Sequence, residues 1–292
     1  MGNRPELWCV QVDFLSTPET LSPRVLSRAG CNLHYWLGGP ADAPLVALLH
    51  GATMDHRMFN AQVEALRHDY RVLVWDARGH GKSKPLGDGF TLETCVEDLI
   101  AILDELDVQK ATIVGQSLGG YIAQYAYLMH AERILAAVII GATPIAKAYS
   151  RVDMGLLRLS LPLMRLWPYR HLQRTFARAT AVTAQAQEYA LAACRQVDRK
   201  DFLAIWKAVT FAVSEEGEPD FRFEVPLLLL HGDQDRTGSI ARDMPAWAQR
   251  QPEAQYYVLP DAGHNANQDA PELTNDILLE FLDRNRVQRS SV

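Results

Sequence analysis

Between residues 45 and 50 the chain reads LVALLH, an apolar run with no polar position to break it. Runs of the same kind recur as RVLVW (71–75), ATIVG (111–115), LAAVII (135–140) and PLLLLH (226–231). A strand packed against helices on both faces has no solvent side, so it shows continuous apolarity instead of alternation. These five runs therefore predict the inner strands of a parallel sheet. LWCVQVDF (7–14), NLHYWL (32–37) and AQYYVLP (254–260) extend the expected sheet to eight strands. Between the runs, apolar positions recur at helical spacing over 57–69, 92–106, 118–130, 239–250 and 271–286. In TLETCVEDLIAILDELD, Leu92, Val96, Leu99, Ile100, Leu103 and Leu106 fall on one face. Glu93, Glu97, Asp98 and Asp104 fall elsewhere, and Thr91 with Thr94 beside Glu93 marks the start. Strands alternating with helices in this way argue for a doubly wound α/β sheet.

One region interrupts the alternation. From 144 to 222 no strand pattern is visible, helical patterns dominate, and Pro144, Pro162, Pro168 and Pro219 punctuate them. The expected division is a core of residues 1–143 and 223–292 with an all-helical cap, 144–222, inserted between two strands. Arg151, Arg158, Arg165, Arg170, Arg174 and Arg178 recur along this insertion and are read as a solvated helix face.

Composition narrows the class without naming a chemistry. The 292 residues are 48% hydrophobic and 22% charged, as in a globular protein with a full core. A net charge of -6 disfavours nucleic-acid binding, which needs a basic face. Cys9, Cys31, Cys95 and Cys194 form no C-x-x-C pair, so they read as small core residues rather than a zinc or dithiol site. The first ten residues carry no apolar stretch of signal-peptide length, and Glu6 stands where a myristoylation site wants Ser or Thr. No run is long enough to span a bilayer, and a cytoplasmic location is expected.

The chemistry sits at the joints between elements. GQSLG (115–119) satisfies G-x-S-x-G between a predicted strand and a predicted helix. A turn that sharp strains the central residue and brings backbones close, which Gly115 and Gly119 permit. It lifts the Ser117 hydroxyl above the sheet at a helix N-terminus, where an anion is favoured. A serine alcohol needs a base. His264, in LPDAGHN after the last strand, is the candidate, with Gly263 letting the loop turn back over the sheet. The base needs a carboxylate to fix its tautomer. HGDQD (231–235) offers Asp233 and Asp235. Asp235 is preferred because it lies where the turn opens, with Asp233 capping the turn.

The order Ser117, Asp235, His264 resembles that of the α/β-hydrolase fold family, and the likeness runs from about residue 24 to 286. LLHGAT (48–53) is similar to the family's oxyanion loop and DARGHGKS (76–83) to its D-x-R-G-x-G-x-S segment. GQSLGG, HGDQD and Gly263-His264 resemble its nucleophile, acid and base loops. The resemblance implies a mostly parallel eight-stranded sheet and an oxyanion hole made by the N–H groups of Ala52 and Leu118. Serine at 117 disfavours the dehalogenases and epoxide hydrolases of this fold, whose nucleophile is aspartate. Gln116 replaces a histidine often found before the serine. HGATMD lacks both the G-x-G-x-x run of the carbon–carbon bond hydrolases and the HGGG of many lipases. Thr143-Pro144 after the sixth strand offers no acid, which supports the later position.

GHGKS (79–83) does not complete a P-loop, because Asp76 stands where its first glycine belongs. No metal-ligand spacing is present, and neither metal nor cofactor is expected. The expectation is a serine hydrolase acting on a small apolar or aromatic ester, thioester or lactone, with Met54, Phe59, Trp167, Trp206 and Phe211 lining the pocket. The same triad also suits an acyltransferase, a cofactor-free perhydrolase or a carbon–carbon bond hydrolase, and the fold also serves as a non-turnover ligand receptor. The substrate and the oligomeric state are not encoded legibly.

Overall fold

The computed structural model describes residues 12–214 and 216–287. Its eight strands are β1 Ser22–Arg28, β2 Cys31–Gly38, β3 Leu45–Leu49, β4 Arg71–Trp75, β5 Ala111–Gln116, β6 Ile134–Ile140, β7 Leu227–Gly232 and β8 Gln255–Leu259. They form one sheet in the order β1-β2-β4-β3-β5-β6-β7-β8. β1 and β2 pair antiparallel, as do β2 and β4, and every other pairing is parallel. The α/β-hydrolase fold class expected from the sequence is the fold observed.

The continuous apolar runs are explained by two cores. Every residue of β3, β5 and β7 is buried. Successive side chains leave a strand on opposite faces. Ile113 and Leu229 therefore join the core that holds Leu99, Ile122 and Met244, while Val114 and Leu230 join the core that holds Val63 and Leu278. The helices behind these residues are α1 Asn60–Leu66, α2 Leu92–Glu105, α3 Leu118–His130, α8 Ile240–Arg250 and α10 Pro271–Val287. A short α9, Ala266–Asp269, precedes the last of them.

Between β6 and β7 the chain forms four helices and, among the described residues, no strand. They are α4 Arg151–Leu166, α5 Tyr169–Thr180, α6 Ala184–Cys194 and α7 Arg199–Phe211. Three start on a side chain that accepts from the third helical N–H: Ser150 from Asp153, Thr183 from Ala186 and Asp198 from Asp201. Pro162 lies inside α4 and does not end it.

Two expected elements differ. Most of the first predicted strand lies outside the described residues, and 12–14 are not strand. The first observed strand, SPRVLSR, is an exposed edge whose pattern carries no apolar run to detect. The helix expected at 57–69 begins as a 3-10 turn, His56–Phe59, and its α portion stops at Leu66. Cys31, Cys95 and Cys194 are buried free thiols. Cys9 and the N-terminal stretch weighed for a leader or lipid lie outside the described residues. Among the described residues, no helix is long and apolar enough to cross a membrane.

Candidate active site

Ser117 is the one residue between β5 and α3, and it carries φ 50° and ψ −112°. Strain of this kind costs about 1–3 kcal/mol and persists only where the surroundings enforce it. Here the neighbours are glycine by necessity. A Cβ on Gly119 would sit 2.0 Å from the Leu49 carbonyl oxygen, and one on Gly115 would sit 2.1 Å from the Gly119 oxygen. The Ser117 N–H donates to Ile140 O at 2.8 Å, which pins the turn to the end of β6. Leu118 opens α3 with its side chain in the core, and as a first-turn group its N–H has no partner within the helix. Ala52, in the loop after β3, lines the cavity beside Ser117.

His264 follows β8 in the loop before α9 and is 5% exposed. Two backbone bonds hold that loop: Gln116 Nε2 donates to the His264 carbonyl oxygen at 2.9 Å, and Asn265 N donates to Thr180 O at 2.6 Å. The His264 Nδ1 lies 2.9 Å from Asp235 Oδ2. An ionised carboxylate only accepts, so Nδ1 carries a proton, and in the neutral ring Nε2 is the nitrogen with the lone pair. Asp235 also accepts from Thr237 N at 2.8 Å. Burial disfavours its charge. The charge and hydrogen bond of His264, together with Thr237, outweigh that burial and hold its pKa below the ordinary carboxylate range. Asp233 instead accepts from Ala262 N at 3.3 Å, within the turn.

Ser117 and His264 open on one cavity of about 230 Å³. Among the described residues Ser117 Oγ makes no hydrogen bond. In ligand-free enzymes such bonds often tighten only on binding. One wall is hydroxylic, with Tyr121, Thr143 and Tyr149; the Tyr121 and Thr143 hydroxyls are 2.7 Å apart. The other wall is apolar and comes from the four-helix insertion, with Leu157, Phe176 and Val209.

Of the five pocket residues expected from sequence, Met54 and Trp206 line this cavity. The Trp206 indole N–H is tied to Ser160 Oγ at 2.9 Å. The other three require correction. Phe59 is fully buried in the core under β3 and β4, because the turn at 56–59 points it inward. Trp167 caps α4 and faces solvent. Phe211 ends α7, 54% exposed, with Arg158 and Lys207 over its ring.

Sequence reasoning missed Gly141. It follows β6 with φ 58°, and a Cβ there would lie 3.2 Å from His264 Nδ1 and 3.4 Å from Asp235 Oδ2. A side chain at this left-handed position would be strained and would press on both members of the pair. A glycine directly after a buried apolar strand, beside the strand that ends in Ser117, was the available signal. Gln116 was noticed as a departure, but its grip on the base loop was not.

A second cluster has metal-ligating residue types: Asp55, His56 and Asp76, all buried. Its donors are already engaged. Asp55 accepts from Arg57 Nη2 at 2.6 Å and Gln196 Nε2 at 2.8 Å. Asp76 accepts from His56 N and Lys82 N at 2.9 and 2.7 Å. A cation would have to displace an arginine and several N–H groups, so these residues do not fit a resident metal.

Comparison with known proteins agrees with the architecture. 3-oxoadipate enol-lactonase 1 of Acinetobacter baylyi is 36% identical over 115 residues, which are 39% of this chain and 43% of that protein. The chain thus matches less than half the length of that relative. The dihydrolipoyllysine-residue acetyltransferase component of the acetoin cleaving system of Pseudomonas putida is 28% identical over 262 residues, 88% of this chain and 68% of its own length. A hydrolase from Pseudomonas aeruginosa superposes with a TM-score of 0.76 at 26% identity, covering 91% of this chain and 99% of that one. Residues 44–271 match the family described as the alpha/beta hydrolase fold, and this chain belongs to that family.

Proposed function

We propose that the protein is a serine hydrolase that cleaves a carboxylic ester, thioester or lactone through an acyl-enzyme on Ser117. One observation carries the reading: a strained serine and an Asp-oriented histidine open on the same small cavity. The substrate carbonyl sits with its oxygen toward the N–H groups of Ala52 and Leu118. Ser117 Oγ attacks the carbonyl carbon while His264 Nε2 takes the hydroxyl proton. Asp235 stabilises the imidazolium without taking its proton. The two N–H groups bind the oxyanion, and one such donor is worth roughly 3 kcal/mol in the transition state. His264 returns the proton to the leaving alcohol or thiol. Water then attacks the acyl-enzyme with His264 again as base, and the acid departs.

Helices α4–α7 act as the cap in this reading, since they supply the apolar wall. A cavity of about 230 Å³ is smaller than the usual drug-sized pocket, which favours short acyl or compact lactone substrates. A second reading is acyl transfer to an acceptor other than water. The match with an acetyltransferase component over 88% of the chain favours keeping it. Both readings use the same acyl-enzyme and differ in what attacks it.

A fluorophosphonate probe is the direct test. The wild type is expected to label and Ser117→Ala is expected not to; equal labelling of both would move the nucleophile elsewhere. Adding competing alcohol or thiol acceptors to a p-nitrophenyl ester assay then separates hydrolysis from transfer by the products formed.

A further inference from the structure

We propose that the outer face of α4, with the groove beside it, is a docking surface for an anionic phospholipid bilayer. The inference does not rest on the chemistry at Ser117. Val152, Leu156, Leu159, Leu163 and Leu166 follow one another at alternating spacings of four and three. That spacing stacks them on a single helix face. All five are exposed, Val152 by 71% and Leu166 by 82%. The stripe runs about 21 Å along the helix axis. Packing among the described residues does not account for it. The opposite face of α4 is the one used inward, with Met154 1% exposed and Leu157 lining the catalytic cavity. Five aliphatic side chains on one contiguous solvent face are unusual for a surface that contacts only water.

The charges around the stripe select its occupant. The whole chain carries -6, yet across 160–180 the sequence holds Arg165, Arg170, Arg174 and Arg178 and no Asp or Glu. Beside the stripe, α4 and α7 bound a groove of about 770 Å³. It is lined by the apolar Leu161, Pro162 and Leu203 and by the cations Arg165, Arg199 and Lys200. Arg199 Nη2 donates to Trp167 O at 3.1 Å, which fixes that guanidinium beside the end of the stripe. Trp167 itself is 43% exposed there. A second copy of this chain would set arginines against arginines, which electrostatics opposes. An aliphatic stripe flanked by Arg, with an indole at one end, is the chemistry of a helix lying in a bilayer interface among negative headgroups. The leucines would enter the acyl boundary while the groove's cations meet phosphate.

The test is co-sedimentation of the full-length protein with two kinds of vesicle. One is pure phosphatidylcholine, and the other contains about one-third phosphatidylglycerol. The wild type is expected to pellet with the anionic vesicles and to stay in solution with the neutral ones. A Leu156→Ser/Leu163→Ser double variant should bind at least about ten-fold more weakly. Arg165→Glu should bind on the order of five- to thirty-fold more weakly, since it removes one cation and adds one anion. Neither site lines the catalytic cavity, so soluble-ester activity serves as the folding control. The proposal is overturned if the wild type binds neither vesicle, if the double variant binds as the wild type does, or if neutral and anionic vesicles bind alike. A wild-type dimer that ignores vesicles and dissociates in the double variant would also overturn it, and would assign the stripe to a second copy.

Discussion

Among the described residues, two histidines hydrogen-bond a carboxylate through Nδ1, His264 to Asp235 at 2.9 Å and His56 to Asp76 at 2.8 Å. All four residues are buried. By pair geometry alone the two are interchangeable, and what differs is the far side of each ring. The His56 Nε2 is met by Thr17 Oγ1 at 2.7 Å, and its ring stacks on Trp36 with centroids 3.6 Å apart. Both ring nitrogens are spent, and the face is covered. His264 turns its other side to the cavity that Ser117 lines. The carboxylates differ in the same sense. Asp76 accepts two backbone N–H groups besides the ring, while Asp235 accepts one. A His–Asp pair becomes a candidate base only where the structure leaves one nitrogen open to a cavity.

Exchanging each carboxylate for its amide breaks the comparison most sharply. Asp235→Asn leaves a neutral partner that can stabilise the wrong imidazole tautomer and cannot stabilise the imidazolium. Turnover should fall by about 10⁴ while thermal stability changes little. Asp76→Asn puts an amide among three donors, so one of them is left facing another donor. That change should destabilise the fold by about 3 kcal/mol and leave turnover per folded molecule close to wild type. Steady-state kinetics and urea unfolding on both variants read the two effects. If Asp76→Asn loses turnover while Asp235→Asn loses only stability, the assignment of the base is reversed.

Adding one methyl group sharpens the same contrast from a residue that does no chemistry. Gly141→Ala must adopt a left-handed backbone and crowd both His264 Nδ1 and Asp235 Oδ2. The pair must give by only a few tenths of an ångström, so a rate loss of about ten-fold is expected, well short of the roughly 100-fold that a full 1 Å misplacement can cost. The loss is expected in kcat with KM little changed, and the downfield proton resonance of the Nδ1 hydrogen bond should move or broaden. A variant that merely melts at lower temperature, with kcat intact, would show that the pair tolerates the intrusion.

How much of this was legible follows from what sequence encodes locally. The inner strands were legible because burial on both faces leaves β3, β5 and β7 almost wholly apolar, with Thr112, Gln116 and His231 the polar exceptions. Strand β1 was not, because an exposed edge needs no apolar run. Ser117, His264 and Asp235 could be named because a sharp turn and a fixed loop order leave marks in glycine and in chain order. Asp235 could be preferred over Asp233 from its place in the turn, but its 2.9 Å contact with His264 needed coordinates. The pocket lining was the least legible. Met54 and Trp206 reach the cavity while Phe59, Trp167 and Phe211 do not, because an aromatic in an all-helical insertion can equally face core, cavity or solvent. The helical pattern of 144–222 was legible, but only the structure shows that, among the described residues, nothing covers one apolar face of α4.

The smallest expected effect concerns acid. The pKa of Asp235 is held below the ordinary carboxylate range in the folded state, with His264 and Thr237 overcoming the opposing effect of burial. A carboxyl group with a depressed folded pKa adds stability above its unfolded pKa and loses it as the pH falls through the folded value. The wild-type advantage over Asp235→Asn should therefore be constant from neutral pH down to the ordinary carboxylate range and shrink only below it. Urea midpoints of the two proteins, taken at steps from neutral to about pH 3, trace that difference. The same series on Asp243→Asn is the control, since Asp243 is depressed too but is held by Lys147, Ser239 and Arg242, away from the histidine. Both curves should narrow in acid, and only the Asp235 curve should come from a protein that has lost turnover. An Asp235 advantage that vanished well above the carboxylate range would mean that the carboxylate is not what sets the stability there. The stability of the His264 loop would then come from its backbone bonds and not from the pair.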